Sequence, residues 1–306
     1  MTSNFGTITI NNFFRRSEYE FQCYIDIDKS ILKNDELTDY YNQIIDGHKL
    51  LVISKLISKQ EPDFVYSNGM WFYFTGNYWR KDDEALLLRK KILQVVPTLK
   101  KILAFYTSGA NLINTDAILI VRNINCLINK LYKPEAMDEI IQGAKMYYHD
   151  ESLCEKLDSR KHLIPFTNGV YDLLKFTFRK TSKSDFVTKT TKFKYNATAS
   201  NPKCNEFIQY ILPDLVQREA VLKKLSEYLN RDINTPPLMF SIDTPLATLM
   251  KLVLGDIYPR KRPTKHTRPI ELPPVQPKYT HDDMREDISI RQTFMNILIE
   301  VYKSYF

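Results

Sequence analysis

Hydrophobic residues recur with two different periods along this chain, and each period predicts a different kind of element. Between residues 163 and 195, aromatic side chains alternate with polar ones and threonine is frequent, which is typical of strands with one buried face. Asn168-Gly169 stands between two apolar runs in this stretch. Because both residues tolerate positive φ, the pair predicts a type I′ hairpin turn. We therefore predict a β-meander from Leu163 to Tyr195.

A second aromatic-rich stretch contains both tryptophans, Trp71 and Trp79. A hairpin that turns at Gly76-Asn77 would make the two tryptophans packing partners. The alternative is that they stack on bases of a single-stranded nucleic acid. Core packing is favoured, because aromatic residues at strand spacing usually fill a core.

Apolar residues at helical spacing cover much of the remaining chain. Together with the two β-hairpin regions, they predict an α+β fold that is mainly helical and ends in a C-terminal helix. The predicted helical stretches are Leu37–Ile57 with a possible division at Gly47, Glu84–Tyr106 with a break or kink from Pro97, Asp116–Tyr132, Pro134–Tyr148, Glu206–Leu212, a helix capped by Asp214, and Asp287–Tyr305, whose apolar face carries Ile290, Phe294, Leu298 and Val301.

Composition limits the class of protein only mildly. Of the 306 residues, 43% are hydrophobic, which is enough for a substantial core. Lys and Arg outnumber Asp and Glu by 43 to 36, and the net charge of +7 permits nucleic-acid binding without demonstrating it. The four cysteines are scattered, so there is no Cys-x-x-Cys zinc or redox pair. Scattered cysteines, no signal-peptide pattern and no bilayer-length apolar run predict an intracellular protein without a membrane partner.

Two features bear on nucleotide chemistry. Asp26 and Asp28 stand two residues apart in a strand-like segment, and such paired carboxylates can hold the metals of a nucleotidyl transferase. The alternative, an exposed strand edge, is favoured because a metal site needs further ligands and a nucleotide pocket. A Walker A loop is excluded, since none of the eight glycines is followed by lysine. We therefore predict no metal, no cofactor and no specific ATP binding.

The order of residues in the predicted meander resembles a known family. Phe-x-Asn-Gly-Val-Tyr-Asp-Leu from Phe166, followed by Phe-Arg, Asp-Phe-Val-Thr and Tyr-Asn, is similar to the domain before the ATPase of poxvirus-type and phage or plasmid primase-helicases, in helicase superfamily three. A second match runs from Asp46 to Trp79, and the C-terminal helix resembles the helix downstream of the ATPase core. The structural motif residues in this resemblance are Trp71, Trp79, Asn168, Gly169 and Asp172.

The resemblance implies a role in DNA replication, in which this domain forms part of a hexameric ring and helps to engage DNA. Because the ATPase core is missing from the sequence, we interpret the chain as a degenerate relative that serves as a non-enzymatic accessory. Residues 1–34 would form an N-terminal arm, 35–235 the accessory domain, and 236–306 a proline-rich basic linker and C-terminal helix. Two alternatives stay open: a minimal metal-dependent primase that uses Asp26 and Asp28, or a gene remnant without activity.

The expected partners are DNA, a full-length helicase of the same family and further copies of the chain, in the host cytoplasm or nucleus if the protein is viral. If Phe176, Phe178 and Phe186 face the core, alternation directs neighbouring lysines outward, where they could follow a phosphate backbone. The alternative is that these lysines only keep an aromatic-rich sheet in solution. The candidate nucleic-acid-binding residues are Arg179, Lys180, Lys183, Lys189, Lys192, Lys194, Arg260, Lys261 and Arg262.

Overall fold

The structure is a computed structural model that describes residues 32, 34–47, 49–108, 115–230, 245–258 and 286–306. Within these ranges the fold is of the α+β class and mainly helical, with two small antiparallel sheets and a C-terminal helix, as predicted. None of the helices in these ranges has the length and hydrophobicity that crossing a bilayer requires. Three predictions lie outside the described residues, namely the pair Asp26 and Asp28, the N-terminal arm, and the proline-rich linker with Arg260, Lys261 and Arg262.

The elements are numbered here in chain order. The helices are α1 Asp35–Gly47, α2 Leu50–Gln60, α3 Leu86–Ile92, α4 Val95–Thr107, α5 Thr115–Leu131, α6 Pro134–Tyr148, α7 Leu153–Lys156, α8 Pro202–Ile211, α9 Leu215–Glu227, α10 Pro245–Leu254 and α11 Ile288–Tyr305. The strands are β1 Phe64–Ser67, β2 Met70–Phe74, β3 Trp79–Asp82, β4 Leu163–Phe166, β5 Gly169–Asp172 and β6 Thr177–Arg179. Short 3₁₀ helices are formed by Asp83–Ala85, Lys183–Asp185 and Gly255–Ile257.

Two compact units divide the described chain. The first unit consists of the described residues up to Glu61 together with Leu87–Tyr147, and it is helical. The second unit consists of Pro62–Leu86 and Tyr148–Phe306, and it contains both sheets and the C-terminal helices. The described residues that are predicted to bind DNA all belong to the second unit.

The helix boundaries in the first unit follow glycine and proline. α1 ends at Gly47 and α2 begins at Leu50, so the predicted helix is divided where glycine was expected to divide it. α3 ends at Ile92 and α4 begins at Val95, which places Pro97 in the first turn of α4. The first backbone N–H groups of a helix have no intrahelical partner, so a proline is tolerated there and the break falls just before it.

The first sheet consists of β1, β2 and β3 in sequential antiparallel order. Asn68 and Gly69 form the β1–β2 turn with φ of 47° and 76°, and a type I′ turn needs this pair of positive values. Residues Thr75–Tyr78 connect β2 to β3, so the predicted hairpin at Gly76-Asn77 is confirmed.

Both tryptophans fill the core, but on opposite faces of the first sheet. Trp71 is 6% exposed and Trp79 is 4% exposed. Trp79 pairs across the sheet with Phe74, which is an odd number of residues from Trp71, so strand alternation separates the two indoles. Trp71 packs edge-on against Tyr148, and Trp79 packs against Phe74, with ring centroids 5.5 Å apart in each pair. Core packing is confirmed, whereas the prediction that the tryptophans pack on each other is wrong.

The second sheet consists of β4, β5 and β6, also in sequential antiparallel order. Phe166 pairs with Gly169, so the two turn residues are Thr167 and Asn168. Neither of them has a positive φ, and the predicted type I′ turn is therefore wrong at this position. Gly169 is required for a different reason, because an added Cβ would lie 2.4 Å from the carbonyl oxygen of Arg179.

The strands of the second sheet end at Arg179. The residues Phe186–Tyr195, which the alternation predicts as strand, form a segment outside the ladders that we call the strap. Phe186 and Lys192 have φ of 54° and 67°, so the strap leaves the strand conformation twice. Its remaining residues cannot form a continuous ladder.

The strap nevertheless bonds to both sheets through its backbone. The Trp79 N–H donates to the Val187 carbonyl oxygen at 2.7 Å, at the edge of the first sheet. The Thr191 N–H donates to the Pro165 carbonyl oxygen at 2.9 Å, at the edge of the second sheet. Because both sheets lie in the second unit, the strap joins them within one folded body.

Helix α11 is a core element of the second unit. On its predicted apolar face Ile290, Phe294 and Leu298 are buried, and Val301 is half-buried. These buried side chains belong to the same apolar cluster as Phe166 of β4. Burial of each large apolar side chain stabilises a fold by about 1.5–3 kcal/mol, so the stability of the second sheet depends on the C-terminal helix.

Gly69 and Gly169 should respond differently to the same substitution. A side chain at residue 69 must adopt a positive φ, whereas a side chain at residue 169 would collide with neighbouring backbone. At Gly69 no atom lies within 4 Å of an added Cβ, and asparagine tolerates positive φ, so Gly69→Asn should lower the free energy of unfolding by less than about 1 kcal/mol. Gly169→Asn should lower it by about 2–3 kcal/mol, because its Cβ meets backbone. Urea unfolding followed by tryptophan fluorescence measures both losses. Equal losses would contradict this placement of the turns.

Candidate nucleic-acid interface

The predicted DNA-binding residues that the structure describes lie in β6, in the residues from there to the end of the following 3₁₀ helix, and in the strap. These residues are Arg179, Lys180, Lys183, Lys189, Lys192 and Lys194. Three of them form ion pairs within the second unit, and the other three face solvent. The positive charge of the first group is partly neutralised by carboxylates, whereas that of the second group is free to attract a phosphate.

Arg179 is held by a buried carboxylate. Its Nη1 and Nη2 atoms each donate to one oxygen of Asp185 at 2.7 Å, and the Asp185 side chain is 1% exposed. Arg160 adds a second positive charge at 3.6 Å, and the Ser182 N–H donates to the same carboxylate. Burial acts to raise the pKa of Asp185, but the hydrogen bonds and positive charges outweigh it, so this pKa lies below its ordinary value. Arg179 therefore stabilises the turn after β6.

Lys183 and Lys192 also have carboxylate partners. Lys183 Nζ lies 2.5 Å from Asp63 Oδ1, and Lys192 Nζ lies 2.9 Å from Asp256 Oδ1. The two lysine side chains are 44% and 65% exposed, so solvent screens both pairs and each contributes little to stability. Each positive charge is nevertheless partly compensated by its aspartate, which weakens its attraction for a phosphate.

Lys180, Lys189 and Lys194 are exposed and form no ion pair with another described residue. We call these three residues the solvent lysines. Phe178 stands two residues before Lys180, and its ring packs on Tyr195, next to Lys194, with centroids 4.8 Å apart. This contact brings Lys180 and Lys194 into one neighbourhood, while Lys189 lies earlier on the strap.

Asn168 attaches the strap to the second sheet with its side chain. Its Nδ2 donates to the Tyr195 carbonyl oxygen at 3.1 Å, and its Oδ1 accepts from the Tyr195 N–H at 2.8 Å. The amide thus supplies one donor and one acceptor side by side, as a neighbouring strand would. Aspartate has the same shape but no donor, so it could form only half of this attachment.

Asp172 closes the turn at the other end of β5. Its Oδ1 accepts from the backbone N–H groups of Leu174 and Lys175 at 3.0 and 3.3 Å, which is the geometry of an Asx turn. Asn168, Gly169 and Asp172 therefore each have a structural role in this sheet. The motif on which the resemblance rests is a set of folding determinants.

The family described as D5 N terminal like matches residues 51–213, just over half of the chain. The chain belongs to this family. The D5 N terminal like region includes both sheets and the strap, so the motif residues and the solvent lysines all lie inside it. Helices α10 and α11 lie outside it.

Viral proteins provisionally named as helicases are among the relatives of the chain. One from Acanthamoeba polyphaga mimivirus is 28% identical over 231 residues, which cover 67% of this chain and 23% of that protein. One from Invertebrate iridescent virus 6 is 25% identical over 202 residues, which cover 53% and 21% of the two chains. One from Invertebrate iridescent virus 3 is 31% identical over 119 residues, which cover 36% and 13%. The chain thus spans less than a quarter of the length of each.

Metal binding has no candidate site in the described part of the chain. No group of three or more His, Cys, Asp and Glu side chains is arranged there to hold an ion. Asp26 and Asp28 lie outside the described residues, so the primase alternative stays a prediction for this member of the D5 N terminal like family.

Asp185 and Tyr195 begin two of the short motifs that carry the resemblance, but their structural roles were not predicted from the sequence. Ser182 and Asp185 have the Ser-x-x-Asp spacing of a capping box, and both reciprocal hydrogen bonds are present, so this pattern could have identified Asp185. No local pattern marks Tyr195 as the partner of Asn168, 27 residues away, because the fold alone brings them together.

Arg179 and Lys180 are neighbours that allow a matched test of these roles. Arg179→Gln should lower the free energy of unfolding by about 3 kcal/mol, because it leaves a buried carboxylate without its main partner. Lys180→Gln removes the same charge from an exposed position and should change this free energy by less than about 0.5 kcal/mol. Urea unfolding followed by tryptophan fluorescence measures both variants, and an equal loss in the two would contradict the assignment.

The loss in Arg179→Gln should also depend on pH. Because the pKa of folded Asp185 lies below its ordinary value of 3.8, the ion pair contributes fully above that pH. The contribution is lost as pH falls through the lower folded-state pKa. The stability difference between wild type and variant should therefore shrink in acid, in titrations from neutral pH to well below 3.8. A difference that stays constant would indicate that Arg179 acts through packing instead.

Proposed function

We propose that the chain is an accessory protein of viral DNA replication, and that its second unit contacts DNA. Membership of the D5 N terminal like family and similarity to viral proteins provisionally named as helicases support the replication context. The observation that carries the DNA contact is the set of exposed lysines without a carboxylate partner among the described residues, Lys180, Lys189 and Lys194. Two of them flank the aromatic contact between Phe178 and Tyr195.

The accessory role further requires that the chain does not hydrolyse ATP itself. Phosphate cradling by a Walker A loop needs a glycine-rich turn followed by lysine, and no glycine in this sequence is directly followed by lysine. We infer a degenerate relative that has lost its ATPase core internally and has kept the flanking elements. A full-length helicase of the same family is then the proposed protein partner, and DNA contacts of the second unit would assist that helicase.

Binding through the solvent lysines should be weak, largely independent of sequence and sensitive to salt. Lysine presents a flexible point charge, which attracts phosphates without recognising bases. Each neutralised phosphate releases counterions, and added salt opposes that release. The affinity should therefore fall steeply between low and moderate salt, for single-stranded and duplex DNA alike.

The test is a fluorescence-anisotropy titration of labelled DNA at several salt concentrations. A variant that carries Lys180→Glu, Lys189→Glu and Lys194→Glu should bind more weakly than wild type. Loss of three phosphate contacts should also reduce the slope of log affinity against log salt by about 2 on a single strand. Stability should change little, because these side chains are exposed.

The control variant carries Lys90→Glu, Lys100→Glu and Lys133→Glu, which make the same charge change at exposed positions of the first unit. It should retain most of the affinity and the salt slope of wild type. If wild type does not bind DNA at low salt, the proposal of DNA contact fails and a protein partner becomes the better account. If both triple variants lose affinity equally, net charge and not this surface controls binding.

A further inference from the structure

We propose that Phe178, supported by Tyr195, is a stacking platform for one unpaired base of a single DNA strand. This inference rests on the proposed function and names the form of DNA that the second unit prefers. Only an unpaired base can turn a π-face toward a protein side chain, since bases in a duplex cover each other. The platform therefore distinguishes single strands from duplexes, which the solvent lysines alone do not.

Phe178 is an exposed aromatic ring that is held in place from the protein side. It is 36% exposed, although its ring lies against Tyr195 and Phe166 with centroid distances of 4.8 and 6.2 Å. A Cβ on Gly169 would lie 2.7 Å from the Phe178 ring, so glycine allows this ring to settle onto the sheet. Tyr195 packs in turn on Phe166 and Tyr171. The ring is thus oriented before any ligand arrives, which lowers the entropic cost of stacking.

Charge complementarity identifies the occupant as a polyanion. Lys180 follows Phe178 by two residues and Lys194 precedes Tyr195, and both lysines are exposed. The phosphates of a bound strand should therefore contact Lys180 and Lys194. A stacked base with phosphates on neighbouring lysines is the usual arrangement for single strands.

The aromatic residues that the sequence had offered for stacking are not available. Trp71 and Trp79 are 6% and 4% exposed, and each is enclosed by other side chains of the second unit. Tyr132 in the first unit is 62% exposed, but it stands after the end of α5 and has no described ring contact that would orient it. It serves as the matched control for an exposed aromatic side chain.

The experiment compares an oligothymidine with an abasic oligonucleotide of equal length and charge, by anisotropy against full-length chain. Wild type should bind the oligothymidine about tenfold more tightly, which is the contribution of one stacked base. Phe178→Leu should abolish that preference without changing the salt slope. Phe178→Trp should keep it, and because the native tryptophans are buried, quenching of the new indole by oligothymidine reports the stacked base directly.

The controls separate failure of the platform from failure of DNA binding. Tyr132→Leu should leave the preference intact, and the melting temperatures of all variants show whether they are folded. If wild type binds both oligonucleotides equally, or Phe178→Leu keeps the preference, the platform is refuted while DNA contact stands. If neither oligonucleotide nor duplex binds at low salt, both proposals fail. A loss of preference in Tyr132→Leu would move the stacking site to the first unit.

Discussion

The two hydrogen bonds between the Asn168 amide and the Tyr195 backbone hold the strap against the second sheet, and the second unit is organised by this attachment. The strap is not part of a β-ladder, yet its Val187 carbonyl oxygen accepts a hydrogen bond from Trp79 of the first sheet. On its far side Gln292 of α11 donates to the Lys194 carbonyl oxygen at 2.8 Å. Two sheets and the C-terminal helix therefore meet on the strap, which the Asn168 amide holds together with the backbone hydrogen bonds to Trp79 and Pro165. Loss of that amide would affect elements that are distant in sequence.

The same region separates side chains that hold the fold from those that can meet a ligand. Asn168 and Asp172 use their side chains to hydrogen-bond backbone groups, and Gly169 allows a close backbone contact. Arg179 belongs with them, because the buried Asp185 carboxylate occupies its guanidinium. The solvent lysines and Phe178 remain at the surface. The family match covers residues 51–213, so the residues of both groups lie inside it.

Features that depend on local pattern could be predicted from the sequence, and features that depend on tertiary contacts could not. The division at Gly47 and the hairpin after β2 follow from backbone preferences of a few residues. The turn at Asn168 was misplaced because its amide is used 27 residues away, which no local rule reveals. Likewise, charge alone suggested a DNA role for Arg179, and only the fold brings the buried Asp185 carboxylate to it. The sequence was sufficient to propose a basic surface, but it did not show which basic residues form ion pairs within the fold and which face solvent.

Native-state hydrogen exchange of the strap tests this account most directly. The amides of Thr191 and Tyr195 donate to Pro165 and to Asn168, so we expect them to exchange only through global unfolding of the second unit, like the ladder amides of β4 and β5. In Asn168→Asp the Tyr195 carbonyl oxygen loses its donor, and protection of both amides should fall below that of the ladder. The amide of Thr198, which is hydrogen-bonded only to Asn196 within an exposed turn, serves as the fast-exchanging reference. If the strap amides of wild type exchange as fast as Thr198, the strap is an ordinary loop and the account is wrong.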